Sequence, residues 1–234
     1  MTPDQILKFW LDETAPEKWY SVDLDLDAEI KHRFEPAWCE LMQGRYGLWL
    51  TYPSGALAYI ILADQFSRNM FRGQDKGFSS DTVALAASKS AINQKWDLRV
   101  DEPARQFFYL PLMHSENLID QDRCVRLLKE RMCDGGGQNL LHARAHREVI
   151  RNFGRFPERN SALSRKSSQA ETDFIRDGGG QNLLHAKAHR EVIRNFGRFP
   201  DRNSALSRKS SQAEADFIRD GGYGSLFQNL TIAI

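Results

Sequence analysis

Three polar clusters interrupt otherwise apolar segments of this 234-residue chain, and each contains residue types that bind ligands or transfer protons. In the first cluster, Asp64 stands four residues before Arg68, and Arg72 follows after four more. Residues four apart lie on the same face of a helix. Arg68 and Arg72 can therefore clamp an anion, with Asn69 between them. The alternative is a buried ion pair between Asp64 and Arg68 that closes the helix end.

The second cluster is His114-Ser115-Glu116, which follows an apolar segment. A nearby carboxylate raises the pKa of a histidine toward neutrality, so this grouping forms a proton-transfer set. The predicted catalytic candidates are His114, Glu116 and Asp64. A helix start built from Ser115 and Glu116 is the structural alternative, and no spacing here makes Ser115 an acyl acceptor.

The third cluster combines two histidines four residues apart with an arginine-rich loop that begins at Gly154. Histidines at this spacing share one helix face, but a zinc site needs a third protein ligand, and the glutamate of a HExxH motif is missing. We therefore predict no metal and no cofactor. Ligand contacts are expected from Arg68, Asn69, Arg72, His142, His146, Arg155, Arg159 and Asn160.

A long internal repeat includes the third cluster. The segment 134–176 returns as 177–219 with only three differences, since Arg144, Glu158 and Thr172 are replaced by Lys187, Asp201 and Ala215. Solenoid repeats usually retain only their packing positions, whereas these copies have also retained loop and surface residues. The pattern indicates one recent tandem duplication whose two copies compete for one structural place.

Helical periodicity dominates the chain and predicts an all-α fold, because no alternating stretch is long enough for a substantial strand. The apolar run 56–63 is expected to be the central buried helix. Each repeat copy reads as a helical hairpin. Its first helix is predicted over Asn139–Phe153 or Asn182–Phe196, and its second helix is capped by Ser167 or Ser168, or by Ser210 or Ser211.

The composition is typical of a globular cytoplasmic protein, with 41% hydrophobic and 27% charged residues. No secretory signal and no apolar run of membrane-spanning length are visible, so no membrane partner is expected. Cys39, Cys124 and Cys133 lack metal-ligand spacing and are predicted to be reduced thiols. Each repeat copy carries a net charge of +3, but its arginines alternate with acids at helical spacing, which disfavours nucleic-acid binding.

Together the clusters resemble a bacterial family called domain of unknown function 924. The resemblance covers nearly the whole chain, and it is carried by FWL, WY, LADQFSRNMFRG (62–73), FFYLPLMHSENLIDQ (107–121), HARAHREVIRNFGRFPERN (142–160) and DGGYG. It implies an array of antiparallel helices like that of tetratricopeptide-repeat (TPR) proteins, and it implies no activity. The family pattern has glycine where this chain has Ser164 and Ser207, so a left-handed turn at these positions is expected to be strained or rearranged.

The family pattern contains one such hairpin, whereas this chain has two copies of its sequence. Only one copy can pack on the body, which leaves the question of which one does. We predict a helical domain over 1–176 that includes the first copy, and a second unit over 177–234 that holds the second copy and the tail. If the second copy docked instead, the first would become a bulged excursion of 43 residues. The undocked copy can also fill the place in another molecule and give a domain-swapped homodimer.

Three functions are compatible with these residues. The first is a ligand-binding or interaction module with a polar, Arg/His-rich site for a small anionic molecule or a peptide. The alternative is a small-molecule enzyme, hydrolytic or acid–base, that uses the His/Glu/Asp cluster, and a nucleic-acid binder comes third. A single open pocket lined by Asp64, His114, Glu116 and His142 would favour a ligand or an enzyme site.

Overall fold

The computed structural model describes residues 1–133, 137–180 and 192–220, and the regular structure in these ranges is entirely helical. The predicted all-α class is thus confirmed, whereas the TPR-like arrangement stays a prediction. The helices are α1 (Pro3–Leu7), α2 (Leu24–Met42), α3 (Pro53–Ile60), α4 (Ser67–Met70), α5 (Asp81–Asn93), α6 (Leu110–Met113), α7 (Leu118–Arg131), α8 (Gly137–Phe153), α9 (Gln169–Arg176) and α10 (Gln212–Arg219).

The centre of the fold is the helical segment 53–70, in which π-helical turns over Ile61–Phe66 join α3 to α4. Every residue from 55 to 67 is buried, as the apolar run predicted. Phe66 packs on Phe34 with ring centroids 4.7 Å apart. Because the polar residues at 64 and 65 continue this buried run, the helix carries them into the interior.

Helix α2 packs on the central segment through a stripe of apolar residues at steps of three and four. Asp23 caps this helix, since its Oδ1 accepts a hydrogen bond from the Leu26 amide at 3.1 Å. The next residue, Asp27, is 9% exposed despite its charge. The register of α2 therefore directs one carboxylate toward the central segment.

Helices α8 and α9, with the loop between them, form hairpin one, and α8 packs along α7 and α6. Ala143 and Ala145 are fully buried at the contact, where their small side chains allow helices to approach closely. Ser168 caps α9, and Glu171 completes a reciprocal capping box. The predicted first helix of the hairpin is thus confirmed over Gly137–Phe153.

Of the second repeat copy, the structure describes residues 177–180 and 192–219, and the range 192–219 is called hairpin two. Its local geometry repeats that of hairpin one. Arg155 Nε lies 2.6 Å from Glu171 Oε1, and Arg198 Nε lies 2.6 Å from Glu214 Oε1. Both copies keep a left-handed turn and do not rearrange it, with φ of 52° at Ser164 and 49° at Ser207. The hairpin conformation is therefore set by its own sequence. The predicted helix over Asn182–Phe196 begins outside the described residues.

The two hairpins differ in what surrounds them. Ile150 is 4% exposed in hairpin one, and its counterpart Ile193 is 41% exposed. Arg165 forms an ion pair with Glu116, whereas the corresponding Arg208 is exposed and forms no ion pair within the described ranges. Hairpin one thus packs on the body, whereas the domain boundary after residue 176 stays a prediction.

Within the described ranges, no helix is both long enough and apolar enough to cross a membrane. Cys39, Cys124 and Cys133 carry free thiols.

Candidate functional site

The candidate site is built around Asp64 and His114, which approach each other in the interior. His114 Nδ1 lies 2.8 Å from Asp64 Oδ1, and Arg68 Nη1 lies 3.2 Å from the same oxygen. Burial favours the protonated form of the Asp64 carboxyl. The charge of Arg68 and the hydrogen bond from His114 outweigh burial and hold the pKa of Asp64 well below its usual range. Asp64 is thus ionised and accepts hydrogen bonds.

Burial, with a further contribution from Arg68, lowers the pKa of His114. The expectation that neighbouring carboxylates raise this pKa is therefore wrong, because desolvation and the arginine charge exceed the effect of Asp64. At neutral pH the imidazole is uncharged and donates its Nδ1 hydrogen to Asp64. Its Nε2 consequently carries a lone pair that can accept a proton or a hydrogen bond.

The two arginines expected to clamp an anion are already bound to carboxylates. Arg68 donates from Nη2 to Asp81 Oδ2 at 3.1 Å, and its Nη1 lies 3.0 Å from Asp81 Oδ1. Arg72 donates from Nε and Nη2 to Asp27 at 2.8 and 2.9 Å. Arg68 and Asp64 form the buried pair that was the structural alternative. Arg72 keeps Nη1 for another acceptor.

A pocket of about 330 Å³ lies beside these groups. It is formed by the central segment, α6, α8 and the chain before α2. The structure brings six predicted residues from all three sequence clusters to its lining, and they are Arg68, Asn69, Arg72, His114, His142 and His146.

Two of these residues, His142 and His146, come from α8 of hairpin one. Burial lowers the pKa of His142 to about 4 and that of His146 to about 3, so both are neutral at pH 7. His146 Nδ1 lies 2.9 Å from the His142 carbonyl oxygen. A carbonyl only accepts hydrogen bonds, and therefore this nitrogen carries the hydrogen and His146 Nε2 has the lone pair.

Sequence reasoning missed much of the wall of the pocket. Gln106 Oε1 accepts hydrogen bonds from the Tyr20 hydroxyl and from Asn139 Nδ2, each at 2.5 Å. These residues are far apart in the chain. Of the three, only Tyr20 belongs to a string that carries the family resemblance, the WY string. The apolar part of the wall consists of Pro16, Trp19, Pro103, Leu110 and Met113.

Five predicted site residues, Asp64, Glu116, Arg155, Arg159 and Asn160, lie outside the pocket lining. Glu116 accepts the Phe156 amide at 2.8 Å and Arg165 Nη1 at 2.7 Å, so it fastens hairpin one to the body. The Arg155 guanidinium binds Glu171, as shown above. Asn160 Nδ2 donates to Ser167 Oγ at 3.1 Å within the hairpin loop.

Arg159 supports His114 from the side of the hairpin. Its Nη1 donates to the His114 carbonyl oxygen at 3.1 Å. The guanidinium carbon lies 4.8 Å from the centre of the Phe78 ring and 4.5 Å from that of Phe156. Burial lowers the pKa of Arg159 to about 10, so the side chain stays charged at pH 7. Hairpin one thus fixes the backbone that carries His114.

The described residues contain no group of three or more His, Cys, Asp or Glu side chains placed to hold a metal ion.

Comparison with known proteins gives two matches. Residues 6–179 and 180–222 each match the family model described as "Bacterial protein of unknown function (DUF924)". The solved structure of ATU0120, a protein of unknown function from Agrobacterium tumefaciens, is 34% identical, with a TM-score of 0.70 over 75% of this chain and 97% of that chain. No curated protein matches.

Proposed function

Since the chain belongs to the bacterial DUF924 family, whose description gives no activity, we propose a function from the pocket itself: the protein binds a small organic molecule that carries an anionic group. One observation carries this proposal. Three polar clusters, separated by long apolar segments of sequence, converge on a single pocket of about 330 Å³. This volume lies at the lower end of the range for small-molecule sites, so it favours a small organic acid over a peptide.

Arg72 is the group that we assign to the anion. Its side chain is 31% exposed and lines the pocket. The Asp27 carboxylate engages Nε and Nη2 of the guanidinium, and Nη1 is bonded to no described residue. A carboxylate of the ligand can therefore accept a charge-assisted hydrogen bond from Nη1.

The test is a thermal-shift titration of the full chain with straight-chain carboxylates of three to six carbons. Binding to the folded state raises the melting temperature by mass action. Arg72→Gln is expected to abolish the ligand-induced shift. Asp27→Asn is expected to enlarge it, because it removes the competing carboxylate. Arg208→Gln, at an exposed arginine outside the pocket, is the matched control. An unchanged shift in Arg72→Gln contradicts the proposal.

A second candidate function, acid–base catalysis, is favoured by the 2.8 Å contact between His114 and Asp64. An ionised carboxylate that fixes the Nδ1 hydrogen leaves Nε2 positioned as a general base. Compounds that raise the melting temperature would be incubated with wild-type protein and with Asp64→Asn and followed by NMR. Conversion by the wild type alone supports an enzyme, and the absence of conversion for every bound compound counts against it.

A further inference from the structure

Two side-chain amides beside the His114 pair have orientations that the neighbouring carboxylates determine. Gln65 Nε2 lies 2.6 Å from Asp64 Oδ2, and Asn69 Nδ2 lies 2.8 Å from Asp27 Oδ1. Each of these carboxylates forms an ion pair with an arginine and, being ionised, has no hydrogen to donate, so the nitrogen of each amide must face it. The oxygens of Gln65 and Asn69 therefore point away from the carboxylates, and both residues line the pocket.

Two histidines of the pocket also have an unused hydrogen-bond acceptor. His114 and His146 each use the Nδ1 hydrogen on a protein acceptor, which is Asp64 for the first and the His142 carbonyl for the second. Each therefore offers an Nε2 lone pair, and no described residue donates a hydrogen bond to either nitrogen. The residues that line the pocket next to the central segment thus include two histidines and two amides, each with an acceptor atom that its protein partner does not use.

From this arrangement we infer that the ligand carries a hydroxyl group that donates to His114 Nε2. The inference rests on the proposed function and deepens it, because it makes the ligand a hydroxylated organic acid. A hydrogen-bond acceptor at this place would face lone pairs, and an apolar group would leave them unpaired.

The charges around His114 favour a neutral donor over an ammonium group. Asp64 and Asp81 supply two negative charges, and the arginines beside them, Arg68 and Arg159, supply two positive charges. The three histidines of the lining are neutral. No net negative charge is present in this group to compensate the cost of burying an ammonium ion.

The experiment compares three probe series of equal chain length on the full-length protein by calorimetric titration. The probes are alkanoates, ω-hydroxyalkanoates and ω-aminoalkanoates of four to six carbons. We expect the best hydroxy acid to bind about fivefold more tightly than the alkanoate of the same length, as one net hydrogen bond implies. The amino acid is expected to bind no more tightly than the alkanoate.

His114→Asn identifies the acceptor. The asparagine nitrogen can still donate to Asp64 from near the position of Nδ1, but the Nε2 lone pair is lost. The variant should lose the preference for hydroxy acids, so that a hydroxy acid binds it no more tightly than the alkanoate of the same length. His32→Asn, at an exposed histidine on α2, is the control. Thermal melts would establish that both variants fold.

The possible results separate this inference from the proposed function. Equal binding of hydroxy acids and alkanoates, tighter binding of amino acids, or a preference that survives in His114→Asn would each overturn the hydroxyl assignment while the carboxylate site stands. If no carboxylate binds the wild type, the proposed function fails and the inference fails with it.

Discussion

Arg165 Nη1 lies 2.7 Å from Glu116 Oε2, and this ion pair joins hairpin one to the body two residues after His114. The corresponding arginine of hairpin two, Arg208, is exposed. The two arginines have the same sequence neighbours, so the body surface is what distinguishes them. The repeated sequence thereby supplies an internal control for hairpin docking.

Arg165→Met should lower the free energy of unfolding by about 1 to 2 kcal/mol, because it leaves the half-buried Glu116 carboxylate without its charged partner. Arg208→Met should change it by less than about 0.5 kcal/mol, as is usual for exposed side chains. Urea denaturation of both variants measures the difference. Equal losses would show that hairpin two also meets the body.

A charge reversal identifies the docked copy directly. Glu116→Arg should destabilise the protein, and Arg165→Glu in the same chain should restore most of the loss, because the ion pair is rebuilt with opposite polarity. Arg208→Glu combined with Glu116→Arg should restore nothing. Rescue by Arg208→Glu would assign the docking place to hairpin two.

The duplicated histidines give a matched test of the pocket. Replacing His142 and His146 together by alanine should abolish the carboxylate-induced thermal shift, because both side chains line the pocket. Their counterparts, His185 and His189, lie outside the described residues, and the same double replacement there should leave the shift unchanged. The opposite result would place the second copy at the site.

Acid should destabilise the protein through the buried histidines. The pKa values of His142 and His146 are about 4 and about 3 in the folded state, against about 6.5 when unfolded. The unfolded state therefore binds more protons below pH 6.5, and the free energy of unfolding falls with pH by on the order of 2 kcal/mol per histidine between pH 7 and 5. Urea midpoints at pH 7, 6 and 5 measure this, and His146→Gln should flatten the dependence.

Ser164 and Ser207 hold left-handed backbone conformations at φ of 52° and 49°. Glycine adopts this region without steric cost, so Ser164→Gly and Ser207→Gly should each stabilise the chain by up to about 1 kcal/mol. Ser161→Gly, whose φ is not positive, is the control and should not stabilise it. A lower melting temperature in Ser164→Gly would contradict the assignment of strain.

We also propose that hairpin two docks on the body of a second copy of the chain and so forms a domain-swapped dimer. The exchanged unit begins at the boundary predicted between residues 176 and 177. Ile193 and Leu206 are 41% and 52% exposed, and both belong to the surface that hairpin one buries or half-buries. Light scattering should show a dimer fraction that grows with concentration and disappears when residues 177–219 are deleted. A dimer that persists in the deletion variant would require another interface.

The amount of the site that sequence could predict depended on the distance over which its residues interact. The pairing of Asp64 with Arg68 follows from helical spacing, and the buried run before it predicted that both would be internal. The bond between Gln106 and Tyr20 joins positions 86 residues apart, and no local pattern encodes it. The predicted direction of the His114 pKa shift was wrong for the same reason, because the burial of the imidazole depends on what the rest of the chain packs around it.

The sequence by itself determined the helical class, the central buried helix and the loop conformation that the described parts of both repeat copies share, since these depend on periodicity, caps and turns within a few residues. It also determined that the segment 134–176 is repeated over 177–219. Only the tertiary structure decided which copy contacts Glu116. It also decided that Asp81 and Asp27 bind Arg68 and Arg72, the two arginines predicted to clamp an anion, and that residues of three clusters line one pocket. These outcomes depend on long-range packing, which sets both the partners of each charge and its exposure to water.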